Sequence, residues 1–276
     1  MTSAVVDAIA AEEIGGRLWF YTNYHCNLNC KYCLTESAPA SKRRLLDAAT
    51  IVAAADEAVE LGFTAFGVTG GEPFLLPGLP ESLVELGRRL PTVVLTNGTL
   101  FSDQLIARLR PLADLPVALQ LSLDTGDEEQ NDAMRGPGSF AKAIAAIPKL
   151  RSAGIALRIG TTTDGTDPDG LLRLCELHRS LGISDDDHVT RPIIQRGRAV
   201  SNDLGIPVTL EALPAELTLT ADGAFWSPAG PTVANGRLDI DYLLTRTIRP
   251  VAIPATAMLQ FAGGRAPLSE PALRVT

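Results

Sequence analysis

The sequence lacks any hydrophobic run long enough to cross a membrane. No apolar stretch in its 276 residues approaches the ~18 residues that a transmembrane helix needs. Residues 1–16 have no leading positive charge and contain Asp7, Glu12 and Glu13, so they do not resemble a signal peptide. We therefore expect a cytoplasmic protein without a membrane partner.

Positive charge is also scarce in this chain. Lysine and arginine together number 24 against 32 acidic residues, which gives a net charge of −8. Proteins that bind nucleic acids usually present a basic face, because neutralising phosphates supplies much of their affinity. The basic clusters here are short, as at Lys42-Arg43-Arg44. We therefore expect no nucleic-acid partner.

Cysteine is rare but unevenly distributed. The chain has only four cysteines, and three of them, Cys26, Cys30 and Cys33, lie within eight residues. A disulfide framework would not crowd three cysteines into one loop and leave the fourth far away. In a cytoplasmic chain such close spacing more often indicates a metal site, so these three are candidate ligands.

The fourth cysteine and two histidines are predicted to be structural. Cys175 shares a predicted helix face with leucines, which favours a thiol buried in the core. We expect His178, one helical turn later, to be half-exposed, and His188 to border a loop.

Strands and helices alternate from about Arg17 to Ile194. The predicted strands are apolar runs, as expected for parallel strands covered on both faces. Six such units are fewer than the eight of a closed barrel, so we predict an α/β fold, a partial (βα)6 TIM-like barrel with a small C-terminal appendage. Its functional site is expected at the carboxyl ends of the strands. The predicted strands are Arg17–Asn23, Ala65–Thr69, Thr92–Thr96, Val117–Asp124, Ala156–Thr163 and His188–Ile194.

Three segments are predicted along the chain. Residues 1–16 form an N-terminal extension, residues 17–200 the partial barrel, and residues 201–276 a C-terminal cap. Within the cap, Leu217–Trp226 has the pattern of a β-hairpin. A short helix is predicted near Asp239–Thr247.

The three neighbouring cysteines have the spacing C-x3-C-x2-C and follow the first predicted strand. Cysteine thiolates ligate iron–sulfur clusters. Three of them would leave one iron of a four-iron cluster open to a reactant. A zinc site with His25 as the fourth ligand is the alternative, although a histidine adjacent to Cys26 is poorly spaced to close a tetrahedron. The cysteines alone leave both metals open.

Further segments, taken in order, resemble the radical SAM superfamily, whose members use S-adenosylmethionine (SAM). An aromatic residue, Tyr32, precedes the last cysteine of the loop, and Gly70-Gly71-Glu72-Pro73 resembles the family's GGEP segment. The resemblance covers about residues 17–200, and the combination is far more specific than any one segment. The other matching segments are Thr96-Asn97-Gly98, Ser122-Leu123-Asp124, Asn131-Asp132-Ala133-Met134-Arg135-Gly136, Arg191-Pro192 and Gly197-Arg198-Ala199.

The resemblance implies two cofactors, one [4Fe–4S] cluster held by Cys26, Cys30 and Cys33, and SAM. It also implies reductive cleavage of SAM to a 5′-deoxyadenosyl radical that abstracts hydrogen from a substrate. No substrate-side acid or base is assigned. The implied SAM contacts are Gly70, Gly71, Glu72 and Pro73 near the methionine amino group, Ser122 and Arg158 near the carboxylate or ribose, Asp124 at the ribose hydroxyls, Tyr32 and Ile193 beside the adenine, and Thr96, Asn97 and Arg135 elsewhere around the cofactor.

Within the superfamily, the pattern fits the SPASM/twitch-type subgroup but lacks its auxiliary-cluster cysteines. No cysteine follows Cys175, so we expect the C-terminal segment to be a cap without a second cluster. The expected reaction is the tailoring of a natural product or other small metabolite. A ribosomal-peptide maturase and a non-catalytic metal-binding scaffold are the alternatives. We see neither auxiliary-cluster cysteines nor a peptide-recognition module before Arg17. Both observations make the ribosomal-peptide maturase less favoured without removing it.

The resemblance also implies an electron donor such as a flavodoxin or ferredoxin. Lys42-Arg43-Arg44 follows the cysteine loop by about nine residues and could dock an acidic donor. A solvated surface is an equally good interpretation of these three charges.

Overall fold

Six parallel strands form the centre of the fold. The structure is a computed structural model and describes residues 2–234 and 237–263. Strands that follow one another in sequence lie side by side in the sheet, and all five pairs are parallel. The predicted α/β fold, with the parallel-rich sheet of a partial TIM-like barrel, is confirmed. The six strands are β1 (Arg17–Tyr21), β2 (Ala65–Thr69), β3 (Thr92–Thr96), β4 (Val117–Ser122), β5 (Ala156–Thr163) and β6 (His188–Pro192).

Helices connect these strands and begin at side-chain caps. Ser102 accepts a hydrogen bond from the backbone N–H of Leu105 at 3.2 Å, and Asp167 accepts one from the backbone N–H of Gly170 at 2.8 Å, so each satisfies an otherwise unpaired N–H group in the first turn of a helix. The helices are α1 (Thr2–Ala10), α2 (Ala48–Glu60), α3 (Leu79–Arg89), α4 (Asp103–Leu109), α5 (Glu128–Arg135), α6 (Ser139–Ser152), α7 (Pro168–Ser180), α8 (Arg198–Ser201) and α9 (Ala252–Ala262).

The segment after α8 extends the same sheet. Strand β7 pairs parallel to β1, β8 pairs antiparallel to β7, and β11 pairs antiparallel to β8, giving the order β11-β8-β7-β1-β2-β3-β4-β5-β6. The predicted hairpin is confirmed by β7 and β8. The remaining strands are β7 (Thr218–Thr220), β8 (Gly223–Phe225), β9 (Val233–Ala234), β10 (Arg237–Leu238) and β11 (Leu243–Thr245).

The short helix predicted near Asp239–Thr247 is wrong. Residues 243–245 form β11 because they pair with β8, a distant partner that local sequence does not reveal. The helix of this region is α9, which begins later, at Ala252.

Both ends of the described chain join the barrel. Val5 and Ile9 of α1 are buried in the common hydrophobic core. The indole N–H of Trp19, on β1, donates to Glu216 Oε2 at 2.5 Å, just before β7. The divisions at residues 16 and 200 stay predictions, since all these segments share one core.

None of the helices in the described part of the chain has the length and apolar character of a membrane span.

Candidate functional site

A cavity of about 300 Å³ opens at the carboxyl ends of the parallel strands. Cavities of this size are typical of small-ligand sites. The C-terminal segment closes one side of the cavity through residues such as Pro214 and Ala229. Eleven of the residues predicted for the site line this cavity: Cys26, Cys30, Tyr32, Cys33, Gly70, Gly71, Thr96, Asn97, Ser122, Arg135 and Ile193.

The three loop thiols lie in one wall of the cavity. Burial raises the pKa of Cys26 to about 12 and that of Cys30 to about 11. The backbone N–H of Leu28 approaches Cys26 Sγ at 3.3 Å, and Thr35 Oγ1 lies 3.6 Å from Cys33 Sγ. Metal binding to such thiols must release their protons, and hydrogen bonds to the sulfurs would tune a bound cluster.

The spacing of the thiols argues against a single zinc ion. Ligands that share one tetrahedral Zn²⁺ at Zn–S distances near 2.3 Å lie about 3.8 Å apart. Within the described residues, the three loop cysteines and His25 do not form a set of ligand atoms that all lie within 4.8 Å of one another. His25 Nδ1 instead lies 3.3 Å from the carbonyl oxygen of Ser41. A cluster whose irons each take one thiolate does not require such close sulfurs.

An arginine after β6 clamps the cysteine loop. Arg198 donates from Nη1 to the carbonyl oxygen of Cys30 at 2.6 Å and from Nη2 to that of Ser37 at 2.9 Å. The preceding Gly197 has a φ of +56°, and a Cβ there would come within 2.1 Å of the Leu34 carbonyl oxygen. The Gly-Arg pair of the sequence therefore holds the loop at close backbone distance.

The Glu72 carboxylate lies behind the cavity wall. It is fully buried and accepts hydrogen bonds from Thr96 Oγ1 at 2.8 Å, from the Asn97 N–H at 2.8 Å and from the Phe74 N–H at 3.1 Å. Burial raises the pKa of Glu72, and these three donors oppose that shift. The carboxylate thus ties the end of β2 to the end of β3.

Where the segment from Gly70 to Glu72 meets the cavity, the wall is formed by backbone atoms and not by side chains. The Gly71 N–H donates to the carbonyl oxygen of Asn23 at 2.7 Å, and the Glu72 N–H to that of His25 at 3.0 Å. A Cβ on Gly71 would come within 2.2 Å of that His25 oxygen. Only glycine permits this approach, which leaves the backbone of Gly70 and Gly71 facing the cavity.

Tyr32, Asp124 and Arg135 form a second buried network. Tyr32 donates to Asp124 Oδ2 at 2.5 Å, and Arg135 Nη1 contacts the Tyr32 hydroxyl. Arg135 also pairs with Asp124 at 3.4 Å, with both side chains under one-tenth exposed. Its Nε is buried and has no hydrogen-bond partner in the described structure. Tyr32 and Arg135 line the cavity, whereas Asp124 lies behind them.

Arg158 and Pro73 lie outside this cavity. Arg158 sits opposite Gln120 in the β4–β5 register, near the amino end of β5. It lines a separate cavity with Asp187, whose charge partly offsets the lowering of the Arg158 pKa by burial. Pro73 begins a short 3₁₀ turn. The SAM contacts of both residues stay predictions.

Two charged residues of the cavity were assigned no role from the sequence. Arg191 and Glu216 both line it. Arg191 Nη2 is buried and lacks a hydrogen-bond partner among the described residues, and Glu216 lies 3.5 Å from Arg17. Arg191 belongs to the Arg-Pro segment named above, but no local signal marks Glu216, because only the β1–β7 pairing brings it here.

The family model for the radical SAM superfamily matches residues 20–177. The chain belongs to the radical SAM superfamily. Members of this family use a [4Fe–4S] cluster and SAM as cofactors.

Among curated proteins, the chain is similar to two enzymes of that family. It is 32% identical over 164 residues to the AdoMet-dependent heme synthase of Methanosarcina barkeri, covering 57% of this chain and 45% of that protein. It is 35% identical over 167 residues to the mycofactocin maturase MftC of Mycobacterium ulcerans, covering 56% of this chain and 43% of that protein. The chain therefore spans less than half the length of these relatives.

Among solved structures, the chain is similar to Streptococcus suis SuiB bound to the precursor peptide SuiA. The TM-score is 0.64 at 15% identity, over 82% of this chain and 63% of SuiB. At this identity the likeness shows the fold alone.

The Glu72 network leads to a stability prediction. In Glu72→Gln, each orientation of the amide leaves one backbone N–H facing another donor. We expect the free energy of unfolding to fall by about 1–3 kcal/mol, measured by urea denaturation.

Glu81→Gln is the matched control, because the Glu81 pair with Arg108 is largely exposed and such pairs contribute little. A Glu72→Gln protein as stable as the wild type would show that relief of carboxylate burial outweighs the lost hydrogen bonds.

Proposed function

We propose that this protein is a radical SAM enzyme in which Cys26, Cys30 and Cys33 hold one [4Fe–4S] cluster. The observation that carries the proposal is the single cavity that joins these thiols to the ends of β2, β3 and β4. When bound and reduced, the cluster supplies the electron that cleaves SAM to methionine and a 5′-deoxyadenosyl radical, which removes hydrogen from a substrate carbon.

The chain's own residues would orient SAM in this cavity. The backbone of Gly70 and Gly71 faces the cavity and is proposed to contact the methionine amino group, because the Glu72 carboxylate is already occupied. Tyr32, held by its hydroxyl, and Ile193, which also lines the cavity, would flank the adenine. Burying SAM against these walls would also exclude water from the reactive radical.

Arg135 is proposed to act on the methionine carboxylate. It lines the cavity, and its buried Nε has no partner among the described residues. A guanidinium can contact a carboxylate through two N–H groups, which an ammonium cannot reproduce. Arg158, outside the cavity, serves as the comparison.

The first prediction of this proposal is loss of iron and activity in Cys30→Ala. After anaerobic reconstitution, this variant should hold little cluster iron and release no 5′-deoxyadenosine with dithionite. Cys175→Ala is the matched control and should keep its iron, because Cys175 lies outside the cavity. Equal iron loss in both variants would reject the ligand assignment. A wild type with no cluster spectrum and no 5′-deoxyadenosine would favour a metal-binding scaffold.

The same assay tests the electron donor, for which we propose an acidic flavodoxin or ferredoxin. Lys42 and Arg43 are exposed after the cysteine loop, whereas Arg44 pairs with Asp222 at 3.2 Å. Reversing the charges of Lys42 and Arg43 should slow flavodoxin-driven release only, since opposite charges speed encounter. Equal slowing with dithionite would reject this docking surface.

The second prediction concerns SAM affinity. Arg135→Lys should weaken SAM binding by about 1–3 kcal/mol, the range for hydrogen bonds to charged groups, whereas Arg158→Lys should leave it unchanged. Binding is followed through the paramagnetic resonance signal of the reduced cluster during SAM titration. If Arg158→Lys weakened SAM binding and Arg135→Lys did not, the carboxylate contact would be assigned to Arg158 instead.

The substrate is proposed to be a small polar metabolite, including a natural-product intermediate. Arg191 and Glu216 place one charge of each sign in the cavity, which suits a ligand with both acidic and basic groups. A ribosomal-peptide maturase is the second candidate, supported by the maturase MftC among the relatives.

The third prediction separates these two substrate classes. A low-mass metabolite fraction of a cell extract should raise 5′-deoxyadenosine release above the substrate-free rate, and Arg191→Met should abolish the increase while the substrate-free rate persists. Stimulation by the peptide fraction alone would establish the maturase alternative instead.

A further inference from the structure

A thiol and two imidazoles converge between α7 and β6. The ligand atoms of Cys175, His178 and His188 all lie within 4.8 Å of one another, and the two imidazole rings meet edge to face with centroids 4.9 Å apart. None of the three lines the cavity of the cysteine loop. The expectation that His178 is half-exposed is wrong: it is only 1% exposed, because α7 packs it against His188 on β6.

His178 presents an unpartnered nitrogen at this junction. Its Nδ1 lies 3.1 Å from the carbonyl oxygen of Ile183, so Nδ1 carries the proton and donates it. In the neutral imidazole, Nε2 is then left with a lone pair. This atom is buried and has no hydrogen-bond partner in the described part of the chain. Its nearest charged neighbour is Asp185 Oδ1 at 3.8 Å, which cannot donate, and a buried acceptor without a donor requires an explanation.

Hydrogen bonds orient His188 so that its Nε2 donates to an oxygen and its Nδ1 faces Cys175. The Thr161 hydroxyl donates to the carbonyl oxygen of Leu123 at 2.7 Å, so it accepts from His188 Nε2–H at 2.8 Å. The lone pair of His188 Nδ1 then faces Cys175 Sγ, 3.6 Å away. Metal-binding histidines are typically held in this manner, with the second ring nitrogen donating to an oxygen.

We propose that Cys175, His178 and His188 form a second metal site, which binds a single Zn²⁺ ion. Cysteine thiolate and histidine imidazole are both usual protein ligands of zinc, and a site with three protein ligands leaves the fourth position open. A bound ion would satisfy the His178 nitrogen, which a thiol–imidazole hydrogen bond between Cys175 and His188 cannot do. The fourth position falls to water or to Asp185, whose carboxylate Arg179 already holds through two hydrogen bonds of 2.7 and 2.6 Å.

The proposed ion would fasten α7 to an edge of the sheet. Strand β6 is the last strand on its side of the sheet, with only β5 beside it. A metal that links residues 175 and 178 of α7 to residue 188 of β6 would hold this terminal unit in place. The proposal is independent of the radical chemistry proposed above.

Co²⁺ is the probe for this site, because thiolate-bound tetrahedral Co²⁺ absorbs strongly. In the full chain carrying Cys26→Ala, Cys30→Ala and Cys33→Ala, Cys175 is the one remaining cysteine, so any sulfur-to-cobalt band must come from it. We expect such a band to saturate at one Co²⁺ per chain and to disappear when Zn²⁺ is added. Circular dichroism checks that this variant is folded.

Two further substitutions in that background complete the test. Cys175→Ser and His188→Ala should each remove the band, whereas His25→Ala, the matched histidine control, should keep it. Zn²⁺ at a hundredfold excess over its Kd should also raise the unfolding midpoint of the parent by roughly 5–10 °C, but not that of the Cys175→Ser variant.

If the triple variant fails to fold, zinc analysis of reconstituted wild type against Cys175→Ser replaces the cobalt titration. One zinc per chain in the wild type, lost in Cys175→Ser, is the expected result. A folded protein without the band, a band that survives Cys175→Ser, or equal zinc in wild type and Cys175→Ser would overturn the proposal.

Discussion

The register of the parallel sheet determines where every residue of the cavity can lie. Tyr21 of β1 is level with Thr69 of β2, and Ser122 of β4 is level with Gly160 of β5, so the loops that follow start from one edge. A slip of one residue in any strand would turn its cavity-facing side chains to the helices. Strand β7 pairs with β1 in the same sheet, which brings the C-terminal segment to the same cavity.

The two buried carboxylates behind this edge stabilise the fold by accepting hydrogen bonds from the protein's own backbone. Glu72 and Asp124 each accept hydrogen bonds from neighbouring strand ends, and neither lines the cavity. A carboxylate without such donors would be expensive to bury. Because these charges are already partnered, glycine backbone and the Arg135 side chain are left to meet a ligand. The cavity wall therefore depends on how accurately the strand ends are joined.

Sequence reasoning succeeded where the signal was local. Apolar runs located all six strands, because each run is a property of neighbouring residues. The assignment of Arg158 as a SAM contact came from the family resemblance and stays a prediction. The structure places Arg158 level with Gln120, two residues before the end of β4, a depth in the sheet that the sequence did not indicate. Glu216 and the burial of His178 depend on pairings between distant segments, which one sequence does not reveal.

The spacing of thiols, more than their number, distinguishes the two candidate metal sites. Within the described residues the sulfurs of the three loop cysteines do not all lie within 4.8 Å of one another, whereas Cys175 meets two imidazoles within that distance. A mononuclear tetrahedral ion requires the close set, and a cluster with one thiolate on each iron requires the wide one. Thr161 lies between them, lining the cavity while its hydroxyl accepts from His188. Strand β5 therefore borders both candidate sites. Each site would select its metal by the spacing of its ligand atoms.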